Sequence, residues 1–136
     1  MSTWAILAPI PIMHLNSALE VLEMKDFVLF GSKNWEIFDQ TAIGSPLFIY
    51  LSYADAIPEV TYVGVYQGLV KESVEMLKLE KAGYRPPTTS GEKGWGCYWK
   101  VNGITKLNTP KPLREFQLAS GKYLSGIPRG PLHVRN

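Results

Sequence analysis

Two apolar runs stand close together in the middle of the chain: IGSPLFIYLSY, residues 43–53, and YVGVYQGLV, residues 62–70. A nearly continuous apolar run behind a turn is the mark of a buried strand. ADAIPE, between the two runs, is short enough for a hairpin-like connection. Gly64 and Gly68 fall inside the second run. Glycine inside a strand marks a bulge, a bend or a close approach of another backbone. The chain is therefore committed early to antiparallel pairing of two apolar strands, and the other segments must cover them.

Trp4 to Ile10 is a further apolar strand, ended by Pro9 and Pro11. Asn16-Ser17 then offers a helix N-cap, and Ser17 with Glu20 has the capping-box spacing. Leu15, Leu19 and Leu22 follow at helical spacing, and the helix is expected to end near Lys25. FVLFG, 27–31, either extends that helix or forms a short strand. SKNWEIFDQT, 32–41, reads as a loop or one helical turn. KESVEMLKLEKAGY, 71–84, is a weak helix, and RPPTTSGEKG, 85–94, is the clearest loop, with two prolines and two glycines.

GWGCYWKVNGITKL, 94–107, alternates like a strand from Cys97 to Val101. Asn102-Gly103 is either a tight hairpin turn or a bulge in one long strand. Cys97, Trp99, Val101 and Ile104 then share one apolar face, which makes Trp99 a core residue. LREFQL, 113–118, is a short amphipathic segment. A basic tail rich in Gly and Pro begins at about residue 119 and is either an ordered strap or loose. Hairpin-linked strands with few helices predict an α+β fold: a small, mixed, mainly antiparallel β-barrel with flanking helices.

A chain of 136 residues is expected to form a single domain, residues 1–136. No apolar run is long enough to cross a bilayer. The N-terminus lacks the basic start of a signal peptide. Cys97 is the only cysteine, which suits a reducing, cytoplasmic setting. The net charge of +2 conceals a division. Residues 1–80 carry four Lys/Arg against ten Asp/Glu, a net of −6, and residues 81–136 carry ten against two, a net of +8. Such a division points to a basic surface and a polyanionic partner. The alternative is that the two halves interleave in space and the charges mix.

No catalytic constellation can be assembled from these residues. The only imidazoles, His14 and His133, are far in sequence from Cys97. A thiolate nucleophile needs such a base or a positive neighbourhood. One cysteine and two distant histidines do not make a zinc site, and GEKGWG lacks the spacing of a phosphate loop. No catalytic residue, metal or cofactor is expected. What stands out is aromatic residues in polar or glycine-rich settings. Trp35 follows Lys33-Asn34, Trp95 lies between glycines, and Tyr84 and Tyr123 sit beside basic residues. An exposed aromatic face stacks a nucleobase, amides read its edge, and basic residues hold the flanking phosphates.

The opening TWAIL, the Asn34-Trp35 pair before a turn, GSPLFIYLS and YVGVYQGLVKE together resemble the EVE domain, a family of the PUA-like superfamily related to YTH domains. CYWKV and the later LNTPKPL are similar to that family's late strand and its exit. The resemblance covers most of residues 3–118. It implies a small mixed β-barrel and a nucleic-acid-binding module, gripping a modified or flipped base of DNA or RNA in an aromatic pocket. By position, Asn34 with Trp35 matches the family's loop tryptophan near the pocket mouth. The composition of the 85–96 loop adds Trp95 at its hinge or rim, Tyr50, Tyr53 and Tyr123 complete the expected pocket, and Lys33, Arg85, Lys93, Lys122 and Arg129 are the expected phosphate contacts. Trp4 matches an N-terminal strand aromatic of the family with a structural role. Two positions depart from the family: Gly44-Ser45 replaces its Gly-Asp, and Lys122-Tyr123 replaces a tryptophan beside a basic residue. A separate effector protein, such as a nuclease, is a conceivable partner. Two other readings of the sequence stay open: a small nuclease or base-modifying hydrolase, and a small-molecule or protein-interaction module.

Overall fold

The computed structural model describes residues 4–33, 36–51, 59–89 and 96–136. In chain order the elements are β1 (Trp4–Ile10), α1 (Ile12–Met24), β2 (Val28–Ser32), α2 (Glu36–Asp39), β3 (Pro46–Leu51), β4 (Glu59–Val70), α3 (Ser73–Lys81), a one-turn 3-10 helix (Pro87–Thr89), β5 (Cys97–Pro112), a second 3-10 turn (Leu113–Glu115) and β6 (Leu132–Arg135). The strands form one mixed sheet in the order β2-β5-β4-β3-β1-β6. Only β1 and β3 pair in parallel; every other pair is antiparallel. The fold is therefore α+β with a mostly antiparallel sheet, as expected, and β2 and β6 stand at its two ends. Among the described residues no helix is long and apolar enough to cross a membrane.

Both faces of the central strands are covered, and this explains their unbroken apolar sequences. On β1, Ile6, Ala8 and Ile10 enter a first cluster with α1, while Ala5 and Leu7 enter a second cluster with Tyr50, Phe116 and Val134. On β3, Leu47 and Ile49 join the first cluster, and Phe48 and Tyr50 join the second. A third, smaller cluster packs Leu29 of β2 and Tyr98 of β5 against Leu79 of α3.

Three sequence expectations need correction or completion. α1 begins at Ile12, not after Ser17: the Pro11 carbonyl accepts from the amides of His14 and Leu15, both at 3.0 Å. Ser17 lies inside the helix and is buried. The apolar stripe continues back through Leu15 to Ile12, so its burial outweighs the local capping preference of Ser17. The Asn102-Gly103 pair is no hairpin. β5 runs through it as one strand, with register shifts against β4 and a left-handed Gly103 at φ 59°. The tail is an ordered strap, because Arg135 N–H donates to Gln117 O and β6 pairs with the outer side of β1.

Candidate functional site

The site is built at the end of β2 and the start of β5. Their antiparallel register sets Phe30 opposite Trp99, Gly31 opposite Tyr98 and Ser32 opposite Cys97. One residue further on, Gly96 N–H donates to the Ser32 carbonyl at 3.0 Å. A Cβ on Gly96 would lie 3.2 Å from the Lys33 carbonyl oxygen, so the two backbones touch where the strands end. Asn34 and Trp35 follow Lys33 in sequence, and Trp95 precedes Gly96.

Behind this junction lies an aromatic stack. The Trp99 ring is stacked on Phe38 at 4.8 Å and 15°, and lies 5.2 Å from Phe30. Phe38 belongs to α2, a helix too short to stand on its own propensity. Tertiary bonds hold it. The Tyr66 hydroxyl donates to the Phe38 carbonyl at 2.7 Å, and the Thr41 hydroxyl donates to the Ile37 carbonyl at 2.5 Å. Carbonyls at a helix C-terminus have no partner within the helix, and two hydroxyls supply one here. Thr41 Oγ1 also lies 3.2 Å from His133 Nε2, and the His133 ring stacks on Trp4 at 4.9 Å. So α2 and the residues after it touch β5 through Trp99 and β6 through His133.

Titration follows burial. Cys97 is fully buried, its Sγ 3.5 Å from the Ser32 carbonyl. Burial pushes the thiol pKa up, against the smaller opposing effects of Ser32 and the Lys71 charge. The thiol is thus neutral at physiological pH and a poor nucleophile. Burial raises the Tyr66 hydroxyl well above its ordinary range, assisted by Asp39 and Cys97. Burial lowers His133. The Trp99 indole N–H is buried and has no hydrogen-bond acceptor among the described residues. An orphaned buried donor costs about 1–3 kcal/mol.

The expected site residues fall into three groups. Asn34, Trp35, Tyr53, Lys93 and Trp95 lie outside the described residues. Lys33 is exposed at the junction itself. The others are elsewhere. Tyr50 is fully buried in the second cluster, with its hydroxyl donating to the Pro128 carbonyl at 2.6 Å, so it anchors the strap. Tyr123 is 62% exposed on the strap, where it bridges Gln117, and Lys122 and Arg129 are exposed nearby in sequence. Arg85 is held by Glu80, Tyr98 and Thr89.

Sequence reasoning gave no role to Phe38, Tyr66, Thr41 or Lys71, and weighed His133 only as a base for Cys97. Lys71 directly follows β4, whose Val70 faces Tyr98, so register alone sets it beside the start of β5. No local signal marks these residues, because each acts through a partner far away in sequence. Among the described residues no group of three or more His, Cys, Asp or Glu side chains could hold a metal ion. Compared with known proteins, the chain matches no family model and no curated sequence.

Proposed function

We propose that this chain is a nucleic-acid-binding module of the PUA-like type, similar to EVE domains, that grips a modified or flipped base without cleaving its partner. The observation that carries the proposal is the contact between Gly96 and the Ser32-Lys33 backbone. In sequence Asn34-Trp35 directly follow Lys33 and Trp95 directly precedes Gly96, so both aromatics adjoin this contact along the chain. The Phe38–Trp99–Phe30 stack lies behind that point, and Lys33 beside it supplies a cation for a flanking phosphate. A tryptophan one or two residues along the chain from each side of this contact suits the sandwiching of a base, worth roughly 1–3 kcal/mol per stacked base.

The mixed sheet with its parallel β1–β3 pair supports the PUA-like expectation, and so does α2. In a flat sheet β5 and β6 would stand four strand spacings apart, about 19 Å. Here α2 and Thr41 reach both strands, which favours a sheet wrapped toward a barrel.

The test is tryptophan fluorescence against short single- and double-stranded oligonucleotides, with and without modified bases, at two salt concentrations. Quenching that is salt-sensitive and strongest for one modified base is expected. Trp35→Ala and Trp95→Ala should each lose more than about tenfold in affinity while remaining folded. Affinity unchanged in both folded variants, or no binding to any oligonucleotide, would overturn the proposal.

A further inference from the structure

Arg85 carries the charge of a phosphate contact but has the surroundings of a structural clasp. Its Nη1 donates to the Glu80 carboxylate at 2.7 Å and to the Tyr98 hydroxyl at 2.8 Å. Its Nε donates to Thr89 Oγ1 at 3.0 Å, and its Nη2 donates to the Thr89 carbonyl. A guanidinium has five N–H donors. Four are spent inside the protein, and the side chain is only 11% exposed. The Tyr98 ring also lies beneath the guanidinium, 5.7 Å from its carbon.

The partners come from three elements. Glu80 is on α3, Tyr98 is on β5, and Thr89 closes the Pro87–Thr89 turn. The Tyr98 hydroxyl donates to the same Glu80 carboxylate, so the three side chains close a ring. Two further bonds tie the clasp into the fold. Tyr84 O, the residue before Arg85, accepts from Leu29 N–H of the end strand β2 at 2.9 Å. Thr88 Oγ1 lies 2.8 Å from His14 Nδ1 on α1.

Tyr98 is the neighbour of Cys97 and lies two residues from Gly96. Side chains alternate across a strand, so Cys97 and Trp99 face the first cluster while Tyr98 faces the third. The clasp therefore grips, from the outer face, the strand end whose inner face backs the candidate site. We infer that Arg85 is a positioning residue: it fixes the start of β5 against β2 and does not contact a phosphate. Its bearing on ligand binding rests on the base-binding proposal above; its bearing on the strand junction does not.

The test uses Arg85→Lys, which keeps the charge but loses the planar fork that reaches three partners at once. Cys97 is the only cysteine and is fully buried, so its reaction with iodoacetamide reports opening of this junction. Local opening should raise the labelling rate of Arg85→Lys by about tenfold over the native chain. Tyr98→Phe, which removes one leg of the clasp, should move in the same direction by less. Phe116→Leu, which weakens the second cluster, serves as the control and should label more slowly than Arg85→Lys.

Labelling of Arg85→Lys at the native rate, or no faster than the control, overturns the inference. With an oligonucleotide that the native chain binds, Arg85→Gln, which removes the charge, should bind more weakly with the slope of log affinity against log salt unchanged. A slope reduced by about one unit would mark a phosphate contact and overturn it as well. Should the native chain bind no nucleic acid while Arg85→Lys still labels faster, the base-binding proposal fails and the positioning role of Arg85 stands.

Discussion

Gly64→Ala is a sharp test of how β4 lies on β5. Gly64 is buried, and its backbone is outside the left-handed region, so an alanine there meets no conformational bar. What it meets is side chain. The added Cβ would sit 2.7 Å from Val101 Cγ1, 3.0 Å from Ile104 Cγ1 and 3.3 Å from the Asn102 carbonyl. Carbon atoms rest at about 3.5–4.0 Å, so the overlap with Val101 is about 1 Å. Val101 is fully buried and β-branched, with little rotamer freedom to move aside. Overpacking of this kind costs about 1–3 kcal/mol. The stiffer unfolded chain returns about 0.4–1 kcal/mol. The net expectation is a loss of about 1–2 kcal/mol, read from urea unfolding as a lower midpoint with an unchanged slope. The decisive measurement is the cycle with Val101→Ala, which deletes the nearest atom. The double variant should be more stable than the two single losses predict, by about 1 kcal/mol. Independent sites add within about 0.3–0.5 kcal/mol, so additivity at that level would refute the close approach of these strands.

His133 provides a pH test. Burial holds its folded pKa below the ordinary 6.5, so its contribution is complete above that value and is lost as pH falls through the folded pKa. Between about pH 7.5 and about pH 5, the melting temperature of the native chain should fall further than that of His133→Gln, and equal falls would remove His133 as a source of the effect. Trp99→Phe keeps a ring on Phe38 and removes the orphaned indole N–H. Relief of that donor should offset much of the lost volume and keep the stability change within about 1 kcal/mol, whereas a loss above about 3 kcal/mol would show that the N–H has a partner.

The strands were legible where one property of the sequence suffices. β1 and β3 are apolar on both faces because both faces are buried, and Cys97, Trp99, Val101 and Ile104 alternate because one cluster takes them all. Elements whose form depends on distant partners were legible only in part. For 32–41 the sequence offered a loop or one helical turn; the turn forms as α2, held by Tyr66 and Thr41, and no local pattern in EIFD decides between the two. The start of α1 is a contest between a local cap at Ser17 and a stripe of burial, and only the core shows that burial prevails. Arg85 has the composition of a phosphate contact, and only the fold brings Tyr98, thirteen residues on, against its guanidinium. Trp35 and Trp95 were conspicuous in sequence because polar residues precede the first and glycines flank the second, a local property.

The division of charge acquires a spatial meaning that sequence order alone obscures. β5, from the basic half, lies between β2 and β4 from the acidic half, so the halves interleave in the sheet. Yet β2 carries no charged residue, and most acidic residues of the first half sit on or beside helices: Glu20 and Glu23 on α1, Glu36 and Asp39 on α2, Glu75 and Glu80 on α3. The exposed basic residues Lys106, Lys111, Arg114, Lys122 and Arg129 lie on β5, on the 3-10 turn after it and along the strap. Interleaved strands therefore do not cancel the division: α1 and α2 stay acidic and the later part of β5 with the strap stays basic, while α3 is balanced, with Lys78 and Lys81 against Glu75 and Glu80. On the proposed reading this separates two tasks. A polyanion is attracted by the later part of β5 and the strap, through contacts that salt weakens without regard to base. On that reading the base is discriminated at the other end of β5, near α2, whose Phe38 stacks on Trp99 and whose Glu36 and Asp39 are exposed. A carboxylate there repels a bare phosphate, so what settles at the junction must gain from stacking rather than from charge.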